Sequence, residues 1–203
     1  MKWKLLLYCN KARPILRKLD KYFLGKHTDN YYWKKGQTVP YNVNGKIVAE
    51  CDFEVEEIKK ANYDCILFTN TLDTETLITK SCIDYFKLEE YLKPNWDKED
   101  DLQNLDTVGY AIHIKNLHVF DTPLELNNFL YEDITDSHYG VWEVERAPAN
   151  YTAIATDVKD IGGVYCYRGT CGRFLALSSR ELCDILTGKK TIVVRKRISK
   201  EML

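Results

Sequence analysis

The clearest indication of the fold is the stretch Phe174-Leu-Ala-Leu-Ser-Ser-Arg-Glu-Leu-Cys-Asp-Ile-Leu-Thr-Gly-Lys-Lys-Thr-Ile-Val-Val-Arg-Lys196. Its first four residues are apolar and predict a short strand. Ser178 or Ser179 can then cap a helix whose apolar side chains recur at helical spacing. Gly188 ends that helix, and the β-branched run after it predicts a second strand. We therefore expect a strand, a helix, a glycine turn and a strand in direct succession.

Basic residues surround the glycine turn and follow the second strand. Lys189 and Lys190 come directly after Gly188, and Arg195 and Arg197 lie at the end of the strand. Such donors concentrate positive charge where a phosphate or a nucleobase can bind. The same pattern is compatible with a solvated turn that carries ordinary surface lysines.

These residues also carry a family resemblance. The string Leu177-Ser-Ser-Arg-Glu-Leu-Cys-Asp-Ile-Leu-Thr-Gly-Lys-Lys-Thr-Ile-Val-Val-Arg195 resembles the opening motif of ASCH domains, which belong to the PUA-like superfamily. Weaker matches begin at Leu5, at Asn44 (Asn44-Gly-Lys-Ile-Val-Ala-Glu-Cys51) and at Gly109. The chain as a whole resembles the ASCH-type proteins of phages and prophages of low-GC Gram-positive bacteria.

The resemblance implies a fold and a domain organisation. PUA-like proteins are built on a small β-barrel that is associated with recognition of RNA and modified bases. We therefore expect an α+β fold, a PUA-like small antiparallel β-barrel with peripheral helices. Residues 1–131 would form the barrel core. Residues 132–172 would be an insertion in which the sequence shows no clear secondary-structure pattern. The opening motif lies at the end of the chain, so either the barrel is permuted or residues 173–203 are a partial repeat that completes the fold begun at residue 1. We expect these residues to complete the same domain.

Hydrophobic periodicity predicts the remaining elements. Apolar residues alternate or run together over residues 3–8, 46–58 and 108–120, which predicts strands. Helices are predicted over residues 11–24, 74–80, 84–92 and 124–131. The acidic stretch 93–106 contains a proline and is expected to be a linker.

Length and composition indicate one domain, or one domain with a small appendage, with a substantial core and an intracellular setting. The chain has 203 residues, of which 45% are apolar and 12% aromatic. It contains no run of about eighteen apolar residues, so we expect no membrane helix. The cysteine count of seven is odd and lacks the spacing of a disulfide framework or a zinc site. We therefore expect reduced cysteines, the cytoplasm of a bacterial host, and neither a metal nor a cofactor.

Charge is strongly segregated along the chain although the net charge is only −1. Residues 1–44 carry a net +8 and residues 146–203 a net +6, whereas residues 45–145 carry a net −15. Basic termini that fold together would offer a face to RNA or another nucleic acid. The acidic residues 45–145 would instead suit a host protein or ribonucleoprotein. Ordinary solvated surfaces are the alternative for both.

Two further groups of residues complete the candidate binding site. Lys11 and Arg13 lie at the turn after the first strand, which the resemblance places near the ligand. Trp33 and Tyr110 are candidates for stacking on a base, since small nucleic-acid-binding barrels use aromatic platforms. Each position has a structural alternative, namely a capped helix at the turn and packing against the barrel for the aromatic rings. His113 is predicted to be a structural strand residue.

Catalysis has weaker support from the same resemblance. Some small ASCH proteins are amidohydrolases that act on N4-acetylcytidine, and the resemblance maps their lysine onto Lys190. The position of their threonine is occupied by Val193, which has no hydroxyl. Glu50 or Glu54 could stand in as an acid, but we assign no catalytic residue.

These observations favour a non-enzymatic phage protein that binds nucleic acid, a nucleotide or a modified base. Lys190 and Arg195 would hold phosphate, Lys11 and Arg13 would flank it, and Tyr110 or Trp33 would stack on a base. One alternative is a phage-encoded inhibitor of a host defence protein or ribonucleoprotein, such as a CRISPR effector. Another is a divergent N4-acetylcytidine amidohydrolase.

Overall fold

Strands make up most of the described chain, and three eight-residue helices accompany them. The computed structural model describes residues 4–9, 30–32, 38–40, 45–62, 64–97, 105–135, 138–144, 164–167, 170–198 and 202. The helices are α1 (Thr74–Ser81), α2 (Tyr85–Leu92) and α3 (Ser179–Leu186). The strands are β1 (Lys4–Cys9), β2 (Asn30–Tyr32), β3 (Thr38–Pro40), β4 (Ile47–Ala61), β5 (Ile66–Phe68), β6 (Thr107–Leu124), β7 (Leu130–Thr135), β8 (His138–Glu143), β9 (Val164–Tyr167), β10 (Thr170–Leu177) and β11 (Ile192–Arg195). This mixture confirms the α+β class.

The chain divides into two units, each assembled from separate segments. The first unit comprises Met1–Asp52 and Asn116–Gly188, and the second comprises Phe53–Lys115 and Lys189–Leu203. The long strands β4 and β6 each begin in one unit and end in the other. Each unit therefore depends on strand pairings between segments that are far apart in the sequence.

In the first unit, β1 pairs on both sides with strands from distant parts of the chain. It runs parallel to β10, with Leu6 opposite Phe174, and antiparallel to β4, with Leu5 opposite Cys51. Among the described strands of this unit the order is β4, β1, β10, β9, β7 and β8. Phe174 and the fully buried Phe129 meet edge to face with ring centroids 5.3 Å apart, which anchors the core on one face of β10.

The helix predicted after residue 177 forms as expected. Ser178 caps α3 because its hydroxyl accepts the amide of Glu181, while the Glu181 carboxylate accepts the amide of Ser178. Gly188 follows the helix with a φ of 76°, a backbone conformation that glycine adopts without strain. The helix packs against β1 and β10. Its buried side chains are those that helical spacing predicted: Leu182, Ile185 and Leu186.

In the second unit, the strand order is β11, β6, β4 and β5, and α1 and α2 supply apolar side chains to the core. Asp73 and Asp84 cap the two helices by accepting the amides of Thr76 and Lys87. Lys60 is fully buried, and its ammonium donates to the carbonyl of Asn95 and the side chain of Asn62. The core of this unit includes Ile58, Leu67, Leu77, Leu88, Leu92, Ala111, Ile192 and Val194.

Two expectations about the fold need correction. The pairings among the described strands do not close into a barrel in either unit, because the strand order of each unit is open. The helix predicted over residues 124–131 is wrong, since β6 continues to Leu124 and only a 3-10 turn, Leu126–Asn128, precedes β7. Burial of Phe129 against Phe174 favours an extended backbone there. The helix predicted over 11–24 lies outside the described residues.

A glycine at the parallel pairing of β1 and β10 provides a test of the first unit. A Cβ added at Gly172 would lie 2.6 Å from the backbone carbonyl oxygen of Lys4, which cannot move without separating the strands. We expect Gly172→Ala to lower the free energy of unfolding by about 2–3 kcal/mol, as overpacked cores do. Urea unfolding followed by circular dichroism measures the change.

Gly188→Ala is the matched control. A Cβ at Gly188 meets nothing within 4 Å, so only its positive φ opposes the substitution, at about 1 kcal/mol. If Gly172→Ala destabilised the chain no more than this control, β1 and β10 would not approach as closely as described.

Candidate nucleic-acid interface

Tyr110 and Arg195 lie directly opposite each other on neighbouring strands of the second unit. β11 pairs antiparallel with β6, with Arg195 opposite Tyr110 and Val194 opposite Ala111. Opposite residues of such a pair share one face, with Cβ atoms about 5 Å apart. Both side chains are half-buried. The sequence-predicted stacking ring and one sequence-predicted phosphate ligand are therefore neighbours.

Exposed basic residues lie at both ends of β11. Lys189 precedes the strand and is exposed, and Lys196 and Arg197 follow it and are exposed. Arg195 donates from Nη1 to the carbonyl of Val194 at 2.9 Å, which holds its guanidinium beside the strand. This arrangement presents cationic donors along one edge of the described strands, because β11 ends the strand order.

Lys190 occupies a different environment from its neighbours. Its exposed fraction is only 4%, so its ammonium is not presented on the surface as Lys189 is. The sequence assigned Lys190 the leading role at the phosphate because charge and motif position were the only criteria available. Because Lys190 is buried, the accessible positive charge at this edge belongs to the exposed Lys189, Lys196 and Arg197 and to the half-buried Arg195.

The turn before β11 is held by hydrogen bonds on two sides. The Thr191 amide donates to the carbonyl of Lys80 at 3.0 Å, and the Thr191 carbonyl accepts the amide of Ile114 at 2.9 Å. The Cys82 thiol donates to the carbonyl of Lys189. The end of α1 and the middle of β6 thus position this turn.

Three predicted site residues, Lys11, Arg13 and Trp33, lie outside the described residues. Among the predicted site residues that are described, the structure brings together Tyr110 and Arg195. It places Lys189 and Arg197 at the two ends of β11.

An ionisable pair that the sequence interpretation missed lies on the other face of β6. His113 Nε2 is 3.1 Å from Glu56 Oε1, although the two atoms do not meet hydrogen-bond geometry. Both side chains are about 16% exposed. His113 is an odd number of residues from Tyr110 and therefore points to the opposite face of the strand. The pair is thus separate from the Tyr110–Arg195 surface.

Hydrogen bonds keep Glu56 ionised. Burial alone would raise its pKa, but hydrogen bonds from Thr69 and Thr71, together with the nearby His113, outweigh burial and lower it. The Thr71 amide donates to Oε2 at 3.1 Å and the Thr71 hydroxyl donates to Oε1 at 2.5 Å. No local sequence pattern indicates this pair, because Glu56 and His113 are about sixty residues apart and meet only through the packing of their strands.

The residues that an N4-acetylcytidine amidohydrolase would use at these positions are either buried or paired with another side chain. Val193, at the position of the family's threonine, is fully buried and lies opposite Ile112. Glu54 forms an ion pair with Lys115 at 2.5 Å in the second unit. In the first unit, Glu50 Oε1 lies 3.3 Å from His118 Nδ1. Each of the two glutamates thus has a described partner of its own.

Among the residues that the structure describes, no group of three or more histidine, cysteine, aspartate or glutamate side chains could hold a metal ion. In that same part of the chain, no helix combines the length and apolar character needed to cross a membrane.

Comparison of the chain with protein-family models, with curated proteins and with solved structures gives no match. The resemblance to ASCH-type, PUA-like phage proteins therefore rests on the sequence motifs alone.

The lowered pKa of Glu56 predicts a pH-dependent contribution to stability. Its folded-state pKa lies below the ordinary value of 4.5, so its ionised form stabilises the fold at neutral pH. This contribution is lost as the pH falls from the unfolded value through the lower folded value. We expect Glu56→Gln to cost about 1–2 kcal/mol of unfolding free energy near pH 7, because charge-assisted hydrogen bonds are lost.

Near pH 3 the difference between Glu56→Gln and the unmodified chain should shrink towards zero. Glu90→Gln, which changes an exposed carboxylate on α2, serves as the control and should have little effect near either pH. An equal loss for Glu56→Gln at both pH values would mean that packing, and not the charge, explains its role.

Proposed function

We propose that this protein binds nucleic acid, or a nucleotide that includes a modified base, at the end of the β6–β11 ladder that carries Tyr110 and Arg195. The observation that carries this proposal is the direct cross-strand pairing of these two residues. An aromatic ring beside a guanidinium offers a base a stacking surface and its phosphate a planar donor. The ASCH-type residues and their PUA-like association with RNA support the same ligand class.

The remaining cations extend the proposed interface along the edge strand. Lys189 and Arg197 are exposed at the two ends of β11, and both can contact phosphates on either side of the stacked base. Lys190 is buried and is not assigned a phosphate. Arg195 takes the central phosphate contact in its place.

Acidic residues in the second unit do not rule out this interface. On β4, Glu54 has a cationic partner, Lys115 at 2.5 Å, and Glu56 lies beside His113 on the other face of β6 from Tyr110. The Glu54–Lys115 ion pair reduces the repulsion that Glu54 would exert on a phosphate chain. The basic edge therefore retains an attractive field for an anion at short range.

A mobility-shift titration with a short single-stranded RNA tests the proposal, with single-stranded and duplex DNA for comparison. The test variant replaces Lys189, Arg195 and Arg197 by glutamine. We expect it to weaken binding at least about tenfold and to reduce the salt dependence by about 0.7 logarithmic units for each phosphate that the protein no longer neutralises. Titrations at about 50 mM and about 200 mM salt measure that slope.

The matched control replaces Lys87, Lys93 and Arg180 by glutamine, which removes the same charge from exposed positions that are not part of the proposed interface. It should weaken binding less than about threefold. Tyr110→Leu should weaken binding about fivefold or more with an unchanged salt slope, because this variant removes base stacking and leaves the phosphate ligands in place. Equal effects of the two triple variants, or no binding to any of the three nucleic acids, would overturn the proposal.

A further inference from the structure

A groove on the second unit lies between the turn that joins β4 to β5 and the first residues of α1 and α2. Its volume is about 510 Å³, which is within the range of ligand-binding clefts. The residues that line it include Asp64, Cys65, Phe68, Asp73, Glu75 and Tyr85. Apolar and aromatic residues thus lie beside three carboxylates.

Hydrogen bonds hold the walls of this groove in place. The Tyr85 hydroxyl donates to the carbonyl of Cys65 at 2.5 Å, which joins the start of α2 to the β4–β5 turn. The Thr74 hydroxyl donates to the carbonyl of Leu67 at 2.8 Å, which joins the start of α1 to β5. The groove therefore exists before any ligand binds, and little free energy is needed to organise it on binding.

The charge at the groove is negative. Asp64, Asp73 and Glu75 are exposed at its rim, and no lysine or arginine is among the described residues that line it. Hydrogen bonding with Thr76 lowers the pKa of Asp73, so this carboxylate is ionised at neutral pH. The nearby Lys87 forms an ion pair with Asp84 at 2.8 Å, and neither residue lines the groove. The negative charge of the rim is therefore complementary to a positively charged ligand.

An exposed aromatic ring extends the surface beyond the groove. Phe86 is 79% exposed, and its ring lies edge-on to Tyr85, with centroids 5.9 Å apart. The ring lies next to the groove, because Tyr85 lines the groove and contacts Phe86, and it therefore adds an apolar contact to the same surface. The surface is therefore larger than a small cation would need.

We propose that this groove and Phe86 together bind a basic segment of another protein. An arginine or lysine side chain of the partner enters the groove between Asp64 and Glu75, where the Tyr85 ring can contact its cationic head. An apolar neighbour in the partner segment covers Phe86. This surface is distinct from the Tyr110–Arg195 face and gives a specific location to the protein partner expected for the acidic residues 45–145.

Fluorescence anisotropy with a labelled short peptide of alternating arginine and valine tests the inference. We expect the double variant Asp64→Asn/Glu75→Gln to weaken peptide binding about fivefold to tenfold, since two exposed ion pairs are removed. Phe86→Ala should weaken it about fivefold or more. All three positions are exposed, so thermal unfolding should be unchanged and confirm that the fold is intact.

The control variant Glu90→Gln/Asp97→Asn removes the same charge from exposed positions outside the groove. It should change peptide affinity less than about twofold. The triple variant at Lys189, Arg195 and Arg197 should bind the peptide normally, which separates this inference from the nucleic-acid proposal.

Three results would overturn the inference. Equal weakening by the control variant would indicate diffuse attraction to an acidic surface. Equal binding of a peptide with glutamate in place of arginine would remove the role of charge. Binding of free arginine amide as tight as that of the peptide would indicate a small organic cation as the ligand instead of a protein.

Discussion

The antiparallel ladder between β6 and β11 is the constraint on which the candidate interface depends. It directs Ala111 and Val194 into the apolar core of the second unit and therefore turns Tyr110 and Arg195 to the other face. A slip of one residue would exchange the two sets and place an arginine in the core. The hydrogen bonds of Thr191 to α1 and to β6 hold the register at one end of the ladder.

Helix α1 separates the two binding surfaces proposed for the second unit. Its first residues, with Asp73 and Glu75, form part of the acidic groove, and its last turn contacts the turn that carries Lys189. Eight residues at 1.5 Å each make this helix about 12 Å long. Carboxylates at its start and a basic turn beside its end also match the direction of the helix dipole. The acidic groove can therefore attract cations while the basic edge attracts anions, because the length of α1 separates the two groups of charges.

Local features of the fold were predictable because local interactions create them. Ser178 and Gly188 bound α3 as their chemistry requires, and Asp73 and Asp84 begin the other two helices. The helix expected over residues 124–131 does not form, because Phe129 packs on Phe174, which is distant in the sequence. Closure into a barrel was likewise an expectation about distant pairings, and the described strands do not satisfy it.

Local sequence patterns predicted strands β1, β4, β6, β10 and β11, the three described helices, the segregation of charge and the identity of the basic and aromatic candidates. They did not predict that Tyr110 lies opposite Arg195, that Glu56 lies beside His113 or that Lys190 is buried. These three features have a common cause. Periodicity and capping act over a few residues, whereas strand register and burial depend on how separate segments pack around a common core.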